Sequence, residues 1–147
     1  MNNITILEKI RVEKIKENCF TYLSLEKYLV EKQFSWLTLK IIGKTLRGNG
    51  VLKIGGLQYN IEIYYSPYLP NRFDKIFITN LNLKFNHDIH IYRDMSLCLY
   101  YPKIDKHQFE IIPLCKMIPW ISEWCIYYEQ WKKYGIWLGK EVKHRRN

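Results

Sequence analysis

The chain has 147 residues, 48% of them hydrophobic and 25% charged, so it supports a packed core and argues against disorder. Its length suits a single domain over residues 1–147. The net charge is +9 and the excess is local: residues 34–86 carry 7 basic and 2 acidic groups, while residues 87–133 carry 6 of each. Such a balance fits an acidic protein surface or nucleic acid, or simply a soluble basic protein.

Ile4 to Glu17 reads as a short amphipathic helix, with Ile4, Leu7 and Ile10 at helical spacing. Thr21 to Lys32 reads as a second helix with a Leu25, Tyr28, Leu29 stripe and Thr21 as its cap. Phe34 to Leu46 is rich in strand formers. Gly48-Asn49-Gly50 predicts a hairpin turn, with Val51 to Ile54 pairing back across it and Gly55-Gly56 as a second break. Gln58 to Tyr65 alternates cleanly, with Tyr59, Ile61, Ile63 and Tyr65 on one face. A Pro-containing loop from Ser66 to Asn71 precedes a strand over Lys75 to Thr79. The sum is an α+β chain: an N-terminal helical region, then an antiparallel meander. From Asn80 to Pro113 periodicity fades, and a long irregular stretch inside a compact domain is a place to look for a site. Pro119 to Tyr134 reads as a helix with Pro119 in its first turn, a core stripe of Trp120, Trp124, Tyr127, Trp131 and Tyr134, and Gly135 as its stop.

No apolar run reaches the roughly 18 residues of a membrane helix, and residues 1–17 lack the apolar stretch of a secretory signal. A cytoplasmic protein without a membrane partner is expected, with Cys19, Cys98, Cys115 and Cys125 as reduced thiols. No CxxC pair occurs, so a closed zinc site is not expected. His87-Asp88-Ile89-His90 offers an HxxH pair with no third ligand in view, since His107 and His144 lack a supporting pattern, so no metal or cofactor is expected. Phosphate-loop, dinucleotide and nucleophile-elbow motifs are missing, as are signatures of nucleic-acid binding.

The chemistry concentrates at Ile91-Tyr92-Arg93-Asp94-Met95-Ser96-Leu97-Cys98-Leu99-Tyr100-Tyr101-Pro102. A cysteine becomes a nucleophile when a nearby cation or donor favours its thiolate, and His90 and Arg93 can supply that. A Cys between two leucines can equally be buried and inert.

These residues resemble the ubiquitin-conjugating-enzyme family, and most closely the standalone bacterial conjugating-enzyme-like proteins of CBASS anti-phage operons. The similarity spans roughly residues 22–147. It rests on His90-Ile91-Tyr92, Leu97-Cys98-Leu99, the Trp-rich helix ending in Tyr128-Glu129-Gln130-Trp131, Gly135-Ile136-Trp137-Leu138-Gly139 and His144. The resemblance implies a ubiquitin-conjugating-like fold: an N-terminal helix, a meander sheet, an active-site loop and C-terminal helices. It implies a cysteine transferase in which Cys98 forms a thioester with the C-terminus of a partner protein, a cGAS/DncV-like nucleotidyltransferase, in antiviral defence. It places His90 where the family has the Asn of its His-Pro-Asn motif, as an oxyanion donor or thiolate partner, and Tyr92 as a loop organiser. It also places Met95 three residues before the cysteine, where the family has glycine. No activating-enzyme domain is in view, so adenylation must come from elsewhere. The alternatives are a non-catalytic protein-binding module of the same fold, and a small basic RNA-binding protein or ribonuclease using His87, His90 and His107; nucleic acid is the less expected partner.

Overall fold

The computed structural model describes residues 18–69, 72–100 and 111–139. The helix expected over Ile4 to Glu17 lies outside them, as do His107 and His144.

Helix α1 spans Cys19–Gln33, and its cap is Asn18, not Thr21. The Asn18 side chain accepts the Thr21 N–H at 2.9 Å, satisfying one of the orphan donors of the first turn. The buried face is Tyr22, Leu23, Glu26 and Val30, whereas Tyr28, expected in the stripe, is 58% exposed with Lys32 over its ring. What sets the rotation is Tyr22, whose hydroxyl bonds that of Tyr65 at 2.7 Å across the core.

The sheet is an antiparallel meander of four strands in sequence order: β1 Leu37–Ile42, β2 Thr45–Ile54, β3 Leu57–Tyr65 and β4 Asp74–Ile78. β3 buries Tyr59, Ile61, Ile63 and Tyr65, the alternation read from the sequence. Gly55 and Gly56 turn β2 into β3 with φ of 55° and 84°, the two positive values a two-residue type I′ hairpin demands.

The expected turn at Gly48-Asn49-Gly50 is not one. The chain turns earlier, at Gly43 and Lys44, and the Gly-Asn-Gly run lies mid-strand in β2, where Gly48 faces Leu39 and Gly50 faces Leu37. Neither glycine needs positive φ. A Cβ on Gly48 would strike the Leu39 side chain, and one on Gly50 would strike the Trp36 carbonyl and ring. These glycines serve close packing, a use that looks identical to a turn in one dimension.

Helix α2 spans Leu114–Tyr134 and begins five residues before the expected start, leaving Pro119 inside it on the exposed side. The earlier start buries Leu114, Met117 and Ile118. Pro113 provides no side-chain cap; instead the buried Glu26 of α1 accepts the Cys115 N–H at 3.3 Å. Of the expected aromatic stripe only Trp124 is in the core; Trp120, Tyr127 and Trp131 are half-buried and Tyr134 is 59% exposed. Gly135 ends the helix with φ 74°. It is the one C-terminal α-helix among the described residues. The two helices touch each other, and the Tyr59 hydroxyl ties β3 to Glu129 of α2 at 3.1 Å. The architecture is α+β, as the resemblance implied.

Gly50→Ala should destabilise the fold by about 1–3 kcal/mol, because the added methyl meets backbone at Trp36. Urea unfolding measures this; a near-neutral result would mean that Gly50 sits in an open turn after all.

Candidate active site

The segment 90–98, read as irregular, is a small tied hairpin. Leu97 N–H donates to the Ile76 carbonyl of β4 at 2.8 Å, and Ile91 and Leu97 form an antiparallel bridge. Cys98 N–H donates to the His90 carbonyl, Tyr92 N–H to that of Ser96, and Met95 N–H to that of Tyr92, each at 2.9 Å. The Asp94 carboxylate accepts both the N–H and the hydroxyl of Ser96, closing an Asx turn at the tip. Just upstream, His87–Ile89 makes one 3-10 turn capped by Asn86. The Trp124 indole of α2 then donates to the carbonyls of Ile89 and His90, 3.0 Å from each.

Two non-glycine residues of the chain's described part take positive φ, and both are here: His90 at 53° and Met95 at 70°. Left-handed backbone costs an L-residue roughly 1–2 kcal/mol. Met95 therefore occupies a conformation that suits the glycine expected at its place. His90 occupies one that asparagine adopts readily, and it stands at the family's Asn position.

Cys98 is half-buried, and its thiol lies 3.5 Å from the Tyr100 carbonyl. Burial pushes the thiol above its ordinary value; the Tyr92 hydroxyl opposes this, Asp74 adds to it, and Arg72 and the Tyr100 backbone pull it back. The Tyr92 hydroxyl is buried and makes no hydrogen bond of ordinary geometry among the described residues, so its coupling to the Cys98 thiol is looser than a formed bond. Burial holds the Tyr92 hydroxyl protonated, well above its usual range, and the neighbouring cysteine adds to that.

Arg72 organises the rest. Its guanidinium lies 3.7 Å from the Tyr92 ring centroid, a cation–π contact. Its Nε donates to the Asp74 carbonyl at 2.7 Å, its Nη2 donates to the Ser96 hydroxyl, and it approaches the Asp74 and Asp94 carboxylates at 3.7 and 3.9 Å. Asp74, 1% exposed, accepts the Tyr100 hydroxyl at 2.9 Å, and Tyr100 stacks on Phe73. Burial raises the Asp94 carboxyl, but the Ser96 hydrogen bonds and Arg72 outweigh it and hold Asp94 below the ordinary carboxylate value.

The sequence-predicted Cys98, His90 and Tyr92 thus lie in one hairpin. His90 meets Cys98 through its backbone, while its ring stacks on Trp137 at 5.0 Å. Arg93, also offered as the cation, points elsewhere and lies over Phe85. His87 packs edge-on against Phe85, and no group of three His, Cys, Asp or Glu able to hold a metal occurs among the described residues. Arg72 and Asp74 escaped the sequence reading, while Ser96 and Tyr100 lay in the candidate segment without an assigned role. The one available signal was the Arg-x-Asp directly after the Pro-containing loop, an acid opening an otherwise apolar strand. The other thiols are set apart: Cys125 is buried and pushed up to about 12, burial raises Cys19, and Cys115 donates to Gln33 at 2.8 Å.

Met95→Gly should be more stable than Met95→Ala by about 1 kcal/mol, since both lose the side chain and only one relieves the positive φ. Thermal or urea unfolding of the pair checks it; equal stabilities would argue against a strained Met95. The thiolate of Cys98 should form at higher pH in Tyr92→Phe, which removes a donor, and at lower pH in Asp74→Asn, which removes a negative charge. The pH dependence of Cys98 alkylation from about pH 8 to 11, followed by mass spectrometry, reads both, since the thiol starts above its ordinary value. Shifts of the same sign in the two variants would contradict this electrostatic picture.

No helix among the described residues is long and apolar enough to cross a membrane. No curated protein matches the chain. A family model described as Type II CBASS E2 protein matches residues 26–145, a span that takes in α1 from Glu26 onward, the whole sheet, the cysteine hairpin and α2. With that match over most of its length, and with the cysteine loop built on the expected α+β frame, the chain belongs to the CBASS E2 family.

Proposed function

We propose that this protein is a conjugating-enzyme-like transferase whose Cys98 carries the C-terminal acyl group of a partner protein as a thioester. The observation that carries the reading is the buried Tyr92 hydroxyl, which makes no ordinary hydrogen bond among the described residues and is coupled to the Cys98 thiol. A donor kept protonated beside a thiol suits two tasks: it favours the thiolate before attack and can bind the oxyanion that follows.

In the proposed step the Cys98 thiolate attacks the carbonyl carbon of a partner C-terminus already activated as an acyl adenylate or a thioester. The new C–S bond replaces the bond to AMP or to the donor thiol, which leaves, and the thiol proton passes to solvent. An amine then takes the acyl group and releases Cys98. Arg72 offsets part of the burial penalty on the thiolate and holds the Tyr92 ring. His90 is the proposed second support: its left-handed backbone fixes the Cys98 amide, and its ring is the candidate oxyanion donor. Membership of the CBASS family, together with the sequence resemblance, supports a cGAS/DncV-like nucleotidyltransferase as the partner.

Co-expression with a cGAS/DncV-like nucleotidyltransferase and a source of C-terminal adenylation should give a higher-mass adduct that excess thiol cleaves, because thiol exchange is near thermoneutral. Cys98→Ser should trap a slower, thiol-resistant ester, and Cys98→Ala should abolish the adduct. Tyr92→Phe should slow adduct formation on the order of 100-fold, the usual worth of one oxyanion donor. His90→Asn keeps a residue suited to positive φ, so any slowing there reports the lost ring rather than a disturbed loop. An adduct that forms equally well with Cys98→Ala would defeat the transferase and leave a protein-binding module on the same fold.

A further inference from the structure

Gly135-Ile136-Trp137-Leu138-Gly139 follows α2 as a short strap. Gly135 reverses the chain with φ 74°. Ile136 and Leu138 then stand 61% and 55% exposed, while Trp137 between them is 8% exposed. The strap leaves its two aliphatic side chains in water and turns a single indole inward. Gly139 is required by the close approach that follows: a Cβ there would lie 2.6 Å from the Tyr127 ring and 3.0 Å from Trp137 Nε1.

The indole meets three rings. Against Trp124 and Tyr127 it is tilted by 59° and 55°, with centroids 5.7 and 5.8 Å apart. Against His90 it lies at 29° with centroids 5.0 Å apart, a stack. Tilted rings fill space, whereas a near-parallel stack also resists rotation of the flat partner. His90 needs that restraint. Its backbone is fixed at φ 53°, and its carbonyl accepts the Trp124 and Cys98 N–H groups. Those contacts stop at the main chain. The imidazole torsion about Cβ–Cγ is intrinsically broad, so a fixed backbone alone leaves the ring several orientations. Two tryptophans divide the work: Trp124 holds the His90 carbonyl, and Trp137 lies against its ring.

We infer that Trp137 is a positioning residue: the strap lays its indole on His90 and fixes the orientation of the imidazole. Its effect on acyl transfer rests on the proposed reading of His90 as an oxyanion donor; the ring clamp itself does not. A reacting group displaced by about 1 Å loses on the order of 100-fold in rate, so a residue that never touches the acyl chain acts through one that does.

The test reads the ring and the rate separately. In the isotope-labelled full chain, the order parameter of the His90 Cδ2–Hδ2 bond reports ring motion. It should stay near the rigid value of about 0.85 in the parent and in Trp137→Phe, and fall below about 0.6 in Trp137→Leu, which fills space without a flat face. Gly139→Ala keeps the indole but lifts the strap off Tyr127, so it should lower the order parameter too, and it carries the test if Trp137→Leu does not fold. Leu138→Ala, on the exposed side, should change neither readout. In the adduct assay Trp137→Leu should slow formation by about tenfold or more, and Trp137→Phe should retain most of the rate. Added to His90→Asn, Trp137→Leu should slow it no further, because both act through one ring. A mobile ring in the parent, or one that stays rigid when the strap is altered, would overturn the clamp. Equal slowing by Trp137→Leu with and without His90→Asn would overturn the positioning role and leave Trp137 as packing. Should His90→Asn itself leave the rate unchanged, the donor reading of His90 falls, while the order parameters still decide the clamp.

Discussion

A single indole N–H holds the candidate site together. Trp124 projects from α2 and donates to two successive carbonyls, those of Ile89 and His90, at the end of the 3-10 turn. The His90 carbonyl also receives the Cys98 amide. The backbone of the cysteine is therefore referenced to a buried helix rather than to its own loop. Around this point Trp124 stacks on Tyr128 at 5.0 Å and tilts against Trp137, which in turn stacks on the His90 ring. The turn at Gly135 is what brings Trp137 back over the hairpin, so the end of α2 and the candidate site form one packing unit. The left-handed backbone at His90 persists because these contacts over-determine it.

The electrostatics of Cys98 are a contest between desolvation and two partners. Burial disfavours the thiolate, and Asp74 sides with burial; Tyr92 and Arg72 oppose them. Arg72 sits at the centre because it engages the carbonyl and carboxylate of Asp74 on β4 together with Ser96, Asp94 and Tyr92 of the hairpin. It links a strand to a loop and also sets the local charge. Asp94 stays ionised to lower pH than an ordinary carboxylate and helps fix the tip at Ser96, beside the strained Met95.

The sheet separates two kinds of surface. Its inner face supplies the core and the hydrogen bonds that place the helices, among them Tyr65 donating to the Ile112 carbonyl at 2.8 Å. Its outer face carries much of the positive charge that residues 34–86 concentrate. In the linear sequence Lys40, Arg47 and Lys75 are merely scattered basic residues; the antiparallel register lines them up.

Several features were legible in the residues alone. The alternation of β3, the Gly55-Gly56 break, the Gly135 stop, the α+β order and the Leu-Cys-Leu segment all follow from local pattern, because each depends on neighbours a few positions away. The resemblance carried by the ordered His-x-Tyr, Leu-Cys-Leu and Trp-rich set led to the family the chain belongs to. What local pattern misassigned depends on distant contacts. Gly50 reads as a turn residue, yet it is small because Trp36 crosses it. The phase of α1 follows Tyr22 reaching Tyr65, and α2 starts early because Glu26 from another helix caps it. Arg72 and Asp74 reach Cys98's surroundings only through the pairing of β4 with the hairpin, which also sets the Tyr100 hydroxyl on Asp74. The sequence by itself determined the element types and which cysteine to watch. Only the tertiary structure decided which glycines turn and which pack, and which charges act on that cysteine, because steric room and electrostatic neighbours are set between segments far apart along the chain.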